Sequence, residues 1–354
     1  MPSDLTPELP QHIRSGGFEE SVLQRKGLNL DAGAPVTGAV SAGAYIAAGF
    51  GDGTVRFFHF EAPPITVRAH GGAVLSLASE YETNSVLTGG DDGRFLRVSP
   101  EGAVEEITSF GTRWVDSVAA GPGWQACSSG RVAYLWGAKN TDPKVFEHPS
   151  TVGGLAFDSK ATRLAVSHYG GATVWERGKR GWKAKKLIWK GSHGALSFSP
   201  NGKFLVTATQ ENALHGWRLR DKADMRMSGY PAKVKSFAWV GDEPFLATSG
   251  ANEAVCWPFD GKDGPMEREP VTCAYGGKQL CTAVAGFPGI SGVFAGFADG
   301  AVLAEQLRSE PSCMVIKGSS GSAVSALAIS PEGWLLVGEE SGRVLWCNLA
   351  GDRG

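Results

Sequence analysis

A small residue followed by an apolar one recurs eight times along the chain at nearly constant spacing, and this period governs every other reading. The pairs are Ala39-Val40, Ser76-Leu77, Ser117-Val118, Gly154-Leu155, Ala195-Leu196, Ser236-Phe237, Ala283-Val284 and Ala326-Leu327. Their apolar members are separated by 37, 41, 37, 41, 41, 47 and 43 residues. Periods of roughly 20–50 residues belong to repeat architectures, in which each unit buries its apolar face against its neighbours. A helical solenoid could share this period, but its repeats would be rich in helix formers and poor in glycine. Here 49 glycines are spread along the whole length.

A hairpin follows each pair at a fixed remove: an apolar run, a tight Gly/Asp/Asn turn, and an alternating run that often ends in Trp. In order these are FGDGTVRFF from Phe50, LTGGDDGRFLRV from Leu87, CSSGRVAYLW from Cys127, VSHYGGATVW from Val166, VTATQENALHGW from Val206, ATSGANEAVCW from Ala247, AGFADGAVL from Ala295 and VGEESGRVLW from Val337. Asp-Gly and Gly-Gly supply the positive φ values that two-residue hairpins require. Trp136, Trp175, Trp217, Trp257 and Trp346 fall in register, five of the 11 tryptophans. That regularity marks them as packing residues between neighbouring sheets, each burying roughly 150–250 Å².

With an inner strand, the two strands of the hairpin and a less regular fourth (ITVRAH near Ile65, EEITSF near Glu105, KKLIWK near Lys185), each unit is one propeller blade. The sequence thus predicts an all-β, single closed β-propeller of eight four-stranded blades, with seven as the alternative if the Trp-less first hairpin is something else. The last unit ends three strands in. The otherwise unemployed ESVLQR, Glu20 to Arg25, is expected to supply its outer strand and so to cover an exposed edge. Residues 1–19 are read as a flexible N-terminal segment, 20–350 as the propeller and 351–354 as a tail.

These features resemble the WD-repeat family over roughly residues 20 to 350. The resemblance rests on the period, on hairpins such as LTGGDDGRFLRV, on the strand-final tryptophans and on the turns SPNG (199–202) and SPEG (330–333). The family's His before the inner strand is matched by His70 and His193, while its closing Trp-Asp dipeptide is absent from every unit. The resemblance implies a rigid platform that holds protein or peptide partners.

Formal net charge is -2 and the sequence pI about 6.4, so nothing global points to nucleic acid or an anionic membrane. No apolar run reaches the roughly 20 residues needed to span a bilayer. MPSDLTPELPQHIRSGG has no apolar core like that of a secretory signal, and the six cysteines form no CxxC pair; both fit a cytoplasmic protein with reduced thiols. No nucleophile elbow, HExxH, P-loop or GxGxxG leading into a helix is present, so no catalytic residue, metal site or cofactor is expected. Asp91-Asp92 is read as capping turn amides.

Two surface features remain. Loops that should share one face carry Phe50, Arg94, Arg113, Trp114, His168, Tyr169, Tyr230, Lys233, Tyr275, Lys278 and Phe297, the residue types enriched at binding hot spots. Separately, RGKRGWKAKKLIWK forms a basic strip of Arg177, Lys179, Arg180, Lys183, Lys185, Lys186 and Lys190. It serves either as a solvated edge strand or as a patch for an acidic partner or RNA, with Trp182 available to stack. The expected function is a non-enzymatic, monomeric interaction scaffold. The alternatives are a small-ligand or enzymatic propeller using the central channel and, less favoured, an RNA binder.

Overall fold

The computed structural model describes residues 17–137, 142–241, 244–287, 289–307 and 312–350. Residues 1–16 and 351–354, read above as a flexible segment and a tail, lie outside the described residues. Within them the regular structure is strand apart from one five-residue helix, and the strands form seven antiparallel sheets. The first sheet runs Val36–Ala42, Tyr45–Phe50, Thr54–Phe58 and Ile65–Arg68, each strand pairing with the next. The second, third, fifth and sixth repeat this meander over 74–109, 117–147, 237–273 and 281–317. The chain is therefore an all-β propeller built on four-stranded blades.

The fourth sheet departs from the pattern and corrects the expectation of eight separate blades. It has six strands, two of them, Arg163–Gly178 and Gly181–Phe198, far longer than the rest. Arg163–Gly178 doubles back on itself: the Arg177 amide donates to the Thr162 carbonyl (2.9 Å), and the ladder breaks between Tyr169 and Gly171. Gly170 and Gly171, at φ +88° and +131°, allow that reversal, and a side chain at Gly171 would collide with the Leu187 carbonyl. Gly181–Phe198 then pairs first with Gly171–Gly178 and, from His193 onward, with Phe204–Thr209. The outer strand of the fourth sequence unit thus becomes the inner strand of the fifth without a break. Counted by hydrogen-bonded sheets there are seven blades. The Trp-less first hairpin is not the reason, since it forms a regular sheet of its own.

The last sheet consists of Val324–Ile329, Trp334–Glu339, Arg343–Asn348 and an N-terminal strand. That strand is Leu28–Asp31, with Leu28 opposite Trp346 and Asp31 opposite Arg343. The expectation that Glu20 to Arg25 would fill this place is corrected. Val22–Lys26 is a helical turn, N-capped by Ser21, whose hydroxyl accepts a hydrogen bond from the Gln24 amide (3.0 Å). The turn is also tied to the sixth sheet, because the Ser21 hydroxyl donates to the Ile316 carbonyl and the Gln24 side chain accepts from the Gly318 amide.

Apolar clusters sit between successive sheets. Val36, Ile46 and Phe50 of the first share one with Leu336 and Trp346 of the last. Trp136, Trp217, Trp257 and Trp346 are buried, and Trp175 stacks on Phe146 of the preceding sheet at 4.0 Å. Small hydroxyl residues of the inner strands and the hairpins beside them bridge neighbouring sheets. Thr282 donates to the Val324 carbonyl (2.7 Å) and Ser325 to Val36 (2.7 Å), and inside the merged fourth sheet Ser167 links the fourth unit to the fifth in the same way through the Gly194 carbonyl (2.6 Å). Converging strands thus select side chains short enough to reach the next backbone. Among the described residues no helix is long and apolar enough to cross a membrane.

Candidate functional site

In most units the loop leaving the outer strand folds back onto the turn of its own hairpin. Amides of Ala69 and His70 donate to Gly53, Phe110 to Gly93, Val152 to Gly130, Gly276 to Asn252 and Ser320 to Asp299, whereas Ala232 donates to Gly250 in the turn of the following unit's hairpin. Hairpin turns and inter-unit loops therefore occupy one end of the sheets and form one face. The loops are fixed by backbone bonds, so their side chains project from a rigid base.

Of the residues predicted for this face, Trp114 (58% exposed), Tyr169 (65%) and Tyr275 (40%) stand out into solvent. Arg113 is exposed beside Trp114, its guanidinium 5.8 Å from the Phe110 ring centre, and Lys233 and Lys278 are exposed as well. Arg94 is half-buried and engaged, donating to Glu106 (2.6 Å) and to the Ala69 carbonyl (3.3 Å). The backbone holding each aromatic is tied down. The Val115 amide beside Trp114 donates to Gly90 (3.0 Å), the Tyr169 amide to the Ser150 hydroxyl (2.8 Å), and the Asn252 side chain to the Gly277 carbonyl (3.0 Å) below Tyr275.

Four predicted contact residues are corrected to interior ones. Phe50 and Phe297 are fully buried. Arg56 lies over the Phe50 ring (4.4 Å), and Phe297 packs so closely under Gly276 that any side chain there would strike its ring. Phe297 is thus the seat of the Tyr275 loop. His168 is buried, with one ring nitrogen 3.0 Å from the Thr173 hydroxyl and the other 2.9 Å from the Tyr169 carbonyl. Tyr230 is buried with its hydroxyl between the Thr248 hydroxyl (2.7 Å) and the Trp257 indole N–H (2.6 Å), and burial pushes its phenol up to about 12.

Tyr230 belongs to a set of polar relays that pin the loops to the sheets. In the second sheet His70 bridges Asp92 (2.9 Å) and Thr88 (2.8 Å), and Asp92 also accepts from the Gly71 and Arg94 amides. Burial acts to raise the Asp92 carboxyl, but these bonds outweigh it and hold it below the usual range. The amide-capping role expected there is met by Asp92. In the fifth unit His193 meets Thr207 (2.7 Å).

One relay had no sequence signal. Lys317, buried, pairs with fully buried Glu339 (2.6 Å) and donates to the Gly300 carbonyl (2.9 Å), while Ser320 and Ser341 donate to the carboxylate. The partners lie 22 residues apart on different sheets.

The basic strip lies at the opposite end. Lys179 and Arg180 form the turn between Arg163–Gly178 and Gly181–Phe198. Arg177, Lys179, Arg180, Lys183, Lys186 and Lys190 are exposed, whereas Lys185 is half-buried and donates to the Leu219 carbonyl. Trp182 is not free to stack: it meets Trp124 edge-on at 5.2 Å and approaches Phe146. The six cysteines are free thiols, and among the described residues no group of three or more His, Cys, Asp or Glu side chains is arranged to hold a metal ion.

No protein-family model matches the chain, and no curated protein matches it. Among solved structures it is similar to the computationally designed Ika8 protein, crystallised in P63. The TM-score is 0.72 at 18% identity, over 92% of this chain and 98% of that one. At that identity the likeness bears on the fold alone, and it is a likeness of almost the whole chain.

Proposed function

We propose that this chain is a non-catalytic interaction platform, a degenerate WD-repeat-like propeller that binds a protein or peptide partner on the face of the hairpin turns. One observation carries the reading. Trp114, Tyr169 and Tyr275 are large aromatics exposed on a single face, two on loops and Tyr169 at a strand reversal, with their backbones hydrogen-bonded in place. Exposed aromatics on a rigid base bury large areas at little entropic cost, which is the physics of a hot spot. Arg113, Lys233 and Lys278 add polar contacts suited to a rim. A propeller face is wide enough for an interface of roughly 1,600 Å² in total.

The test is a triple variant, Trp114→Ala/Tyr169→Ala/Tyr275→Ala, compared with the wild type by affinity purification and mass spectrometry. The variant keeps its circular dichroism spectrum and loses the proteins that the wild type retains. Once a partner is in hand, the most important of the three costs about 2 kcal/mol or more in binding on its own. Retention of the same partners by the triple variant would place the site elsewhere.

A further inference from the structure

The ladder between Gly171–Gly178 and Gly181–Ile188 has eight cross-strand pairs, against four, five and four in the outer ladders of the first three sheets. The surplus makes this hairpin longer than its counterparts by roughly 10 Å. Its two faces are used differently. Trp182 and Arg177 turn toward the third sheet, with Arg177 5.8 Å from the Trp124 ring centre. On the other face Lys185 lines a groove of about 700 Å³ shared with Lys203, Arg218, Arg220 and Lys262, and Lys183 follows it on the same side of the strand. The bond from Lys185 to the Leu219 carbonyl ties the two walls together.

The charges of the groove divide into two sets. The arginines are already matched: Arg163 by Asp158 (2.9 Å), Arg218 by Asp221 (2.8 Å) and Asp263, Arg220 by the same two acids. Asp260 is held by Arg268 (2.6 Å). Of the wall lysines, Lys203 and Lys262 face solvent and Lys185 is half-buried on the Leu219 carbonyl, while Glu176 is the remaining acid of the lining. Residues 176–190 carry one acid, Glu176, and seven bases, a net +6; with the whole chain at -2, the remainder is at -8. Positive charge is therefore concentrated on one edge of an otherwise acidic protein, which is the arrangement that draws an anionic partner to one place.

We propose that this groove binds an extended acidic segment of a partner protein, its carboxylates meeting Lys183, Lys185, Lys203 and Lys262. A single-stranded nucleic acid would need aromatic platforms for its bases; among the described residues no aromatic lines the groove, and Trp182 is committed to Trp124. This site lies at the opposite end of the sheets from Trp114, Tyr169 and Tyr275 and does not depend on their role.

The experiment is fluorescence anisotropy with a fluorescein-labelled peptide of alternating Glu and Asp, twelve residues long by design, and in parallel a labelled twelve-nucleotide oligouridylate (both ~10 nM, a concentration set well below a micromolar Kd). The peptide binds at low salt, its affinity falls several-fold as salt rises from low to physiological strength, and Lys183→Glu/Lys203→Glu weakens it at least tenfold. Both substituted lysines are exposed, and Lys183→Gln/Lys203→Gln gives a milder version should the reversal disturb folding. The aromatic triple variant binds the peptide as the wild type does, which separates this site from the other face. Absence of peptide binding, equal binding by the lysine variants, or tighter binding of the oligouridylate would overturn the assignment.

Discussion

Replacing Tyr230 with Phe removes one oxygen atom and leaves the ring in its place. The Thr248 hydroxyl is also bonded to the Val255 carbonyl (2.8 Å), which takes its proton, so the relay runs from the Trp257 N–H to Tyr230, from Tyr230 to Thr248, and from Thr248 to Val255. Without the Tyr230 oxygen, the Trp257 N–H loses its acceptor at a buried position and Thr248 loses a donor. A buried donor left unmade costs about 1–3 kcal/mol, and the lost acceptance at Thr248 adds less, giving about 2–3 kcal/mol in all. With an unfolding entropy of about 2.1 cal/mol/K per residue, a chain of this length loses roughly 3 °C of Tm. Differential scanning calorimetry measures this directly, with Tyr275→Phe as the control. Tyr275 is exposed, and its substitution moves stability by no more than about 0.5 kcal/mol. Partner retention is unchanged in Tyr230→Phe, because the hydroxyl never reaches the surface. A Tm within 1 °C of wild type would refute the relay, and loss of the partner would return Tyr230 to the binding face.

Three further outcomes are expected. Lys317→Met strands the Glu339 carboxylate in the interior and costs about 3–5 kcal/mol in chemical denaturation, while Lys317→Met/Glu339→Leu recovers much of the loss because no buried charge is left unpaired. Acid destabilises the fold through His148 and His215, whose imidazoles burial pushes down from the ordinary 6.5 to about 4. The unfolded chain binds these protons first, so stability is intact above about pH 6.5 and is lost as pH falls toward about 4. At pH 5 the loss is about 2 kcal/mol for each, and Tm against pH is flatter in His148→Gln and His215→Gln. Deleting the first 31 residues strips Leu28–Asp31 from Arg343–Trp346, so hydrogen exchange accelerates along that strand and the protein self-associates through the bared edge; unchanged exchange would contradict the pairing.

The period of the small-apolar pairs, the Gly-bearing turns and the tryptophan register were enough to establish an all-β propeller, because each depends on spacing along one unit and on local backbone preference. Exposure of Trp114 and Tyr275 was legible for the same reason, since both stand on inter-unit loops, and Tyr169 sits where its strand reverses at Gly170 and Gly171. The helical turn at Val22–Lys26 was legible too, in Ser21 followed three residues later by Gln24, a capping signature.

What lay beyond the sequence depended on how units meet. Phe50 and Phe297 end hairpin strands much as Tyr169 does, yet they are interior because a neighbouring arginine or loop closes over them. The loop position of Tyr230 follows from the sequence but its inward direction does not, because its partners Thr248 and Trp257 are brought to it only by the folded sheet. The merging of the fourth and fifth units arises where Gly181–Phe198 passes from one ladder to the next with no turn to stop it. Spacing along the chain fixes what a unit is, whereas the side a residue faces and the sheet a strand joins are settled by surfaces that exist only once the units have packed.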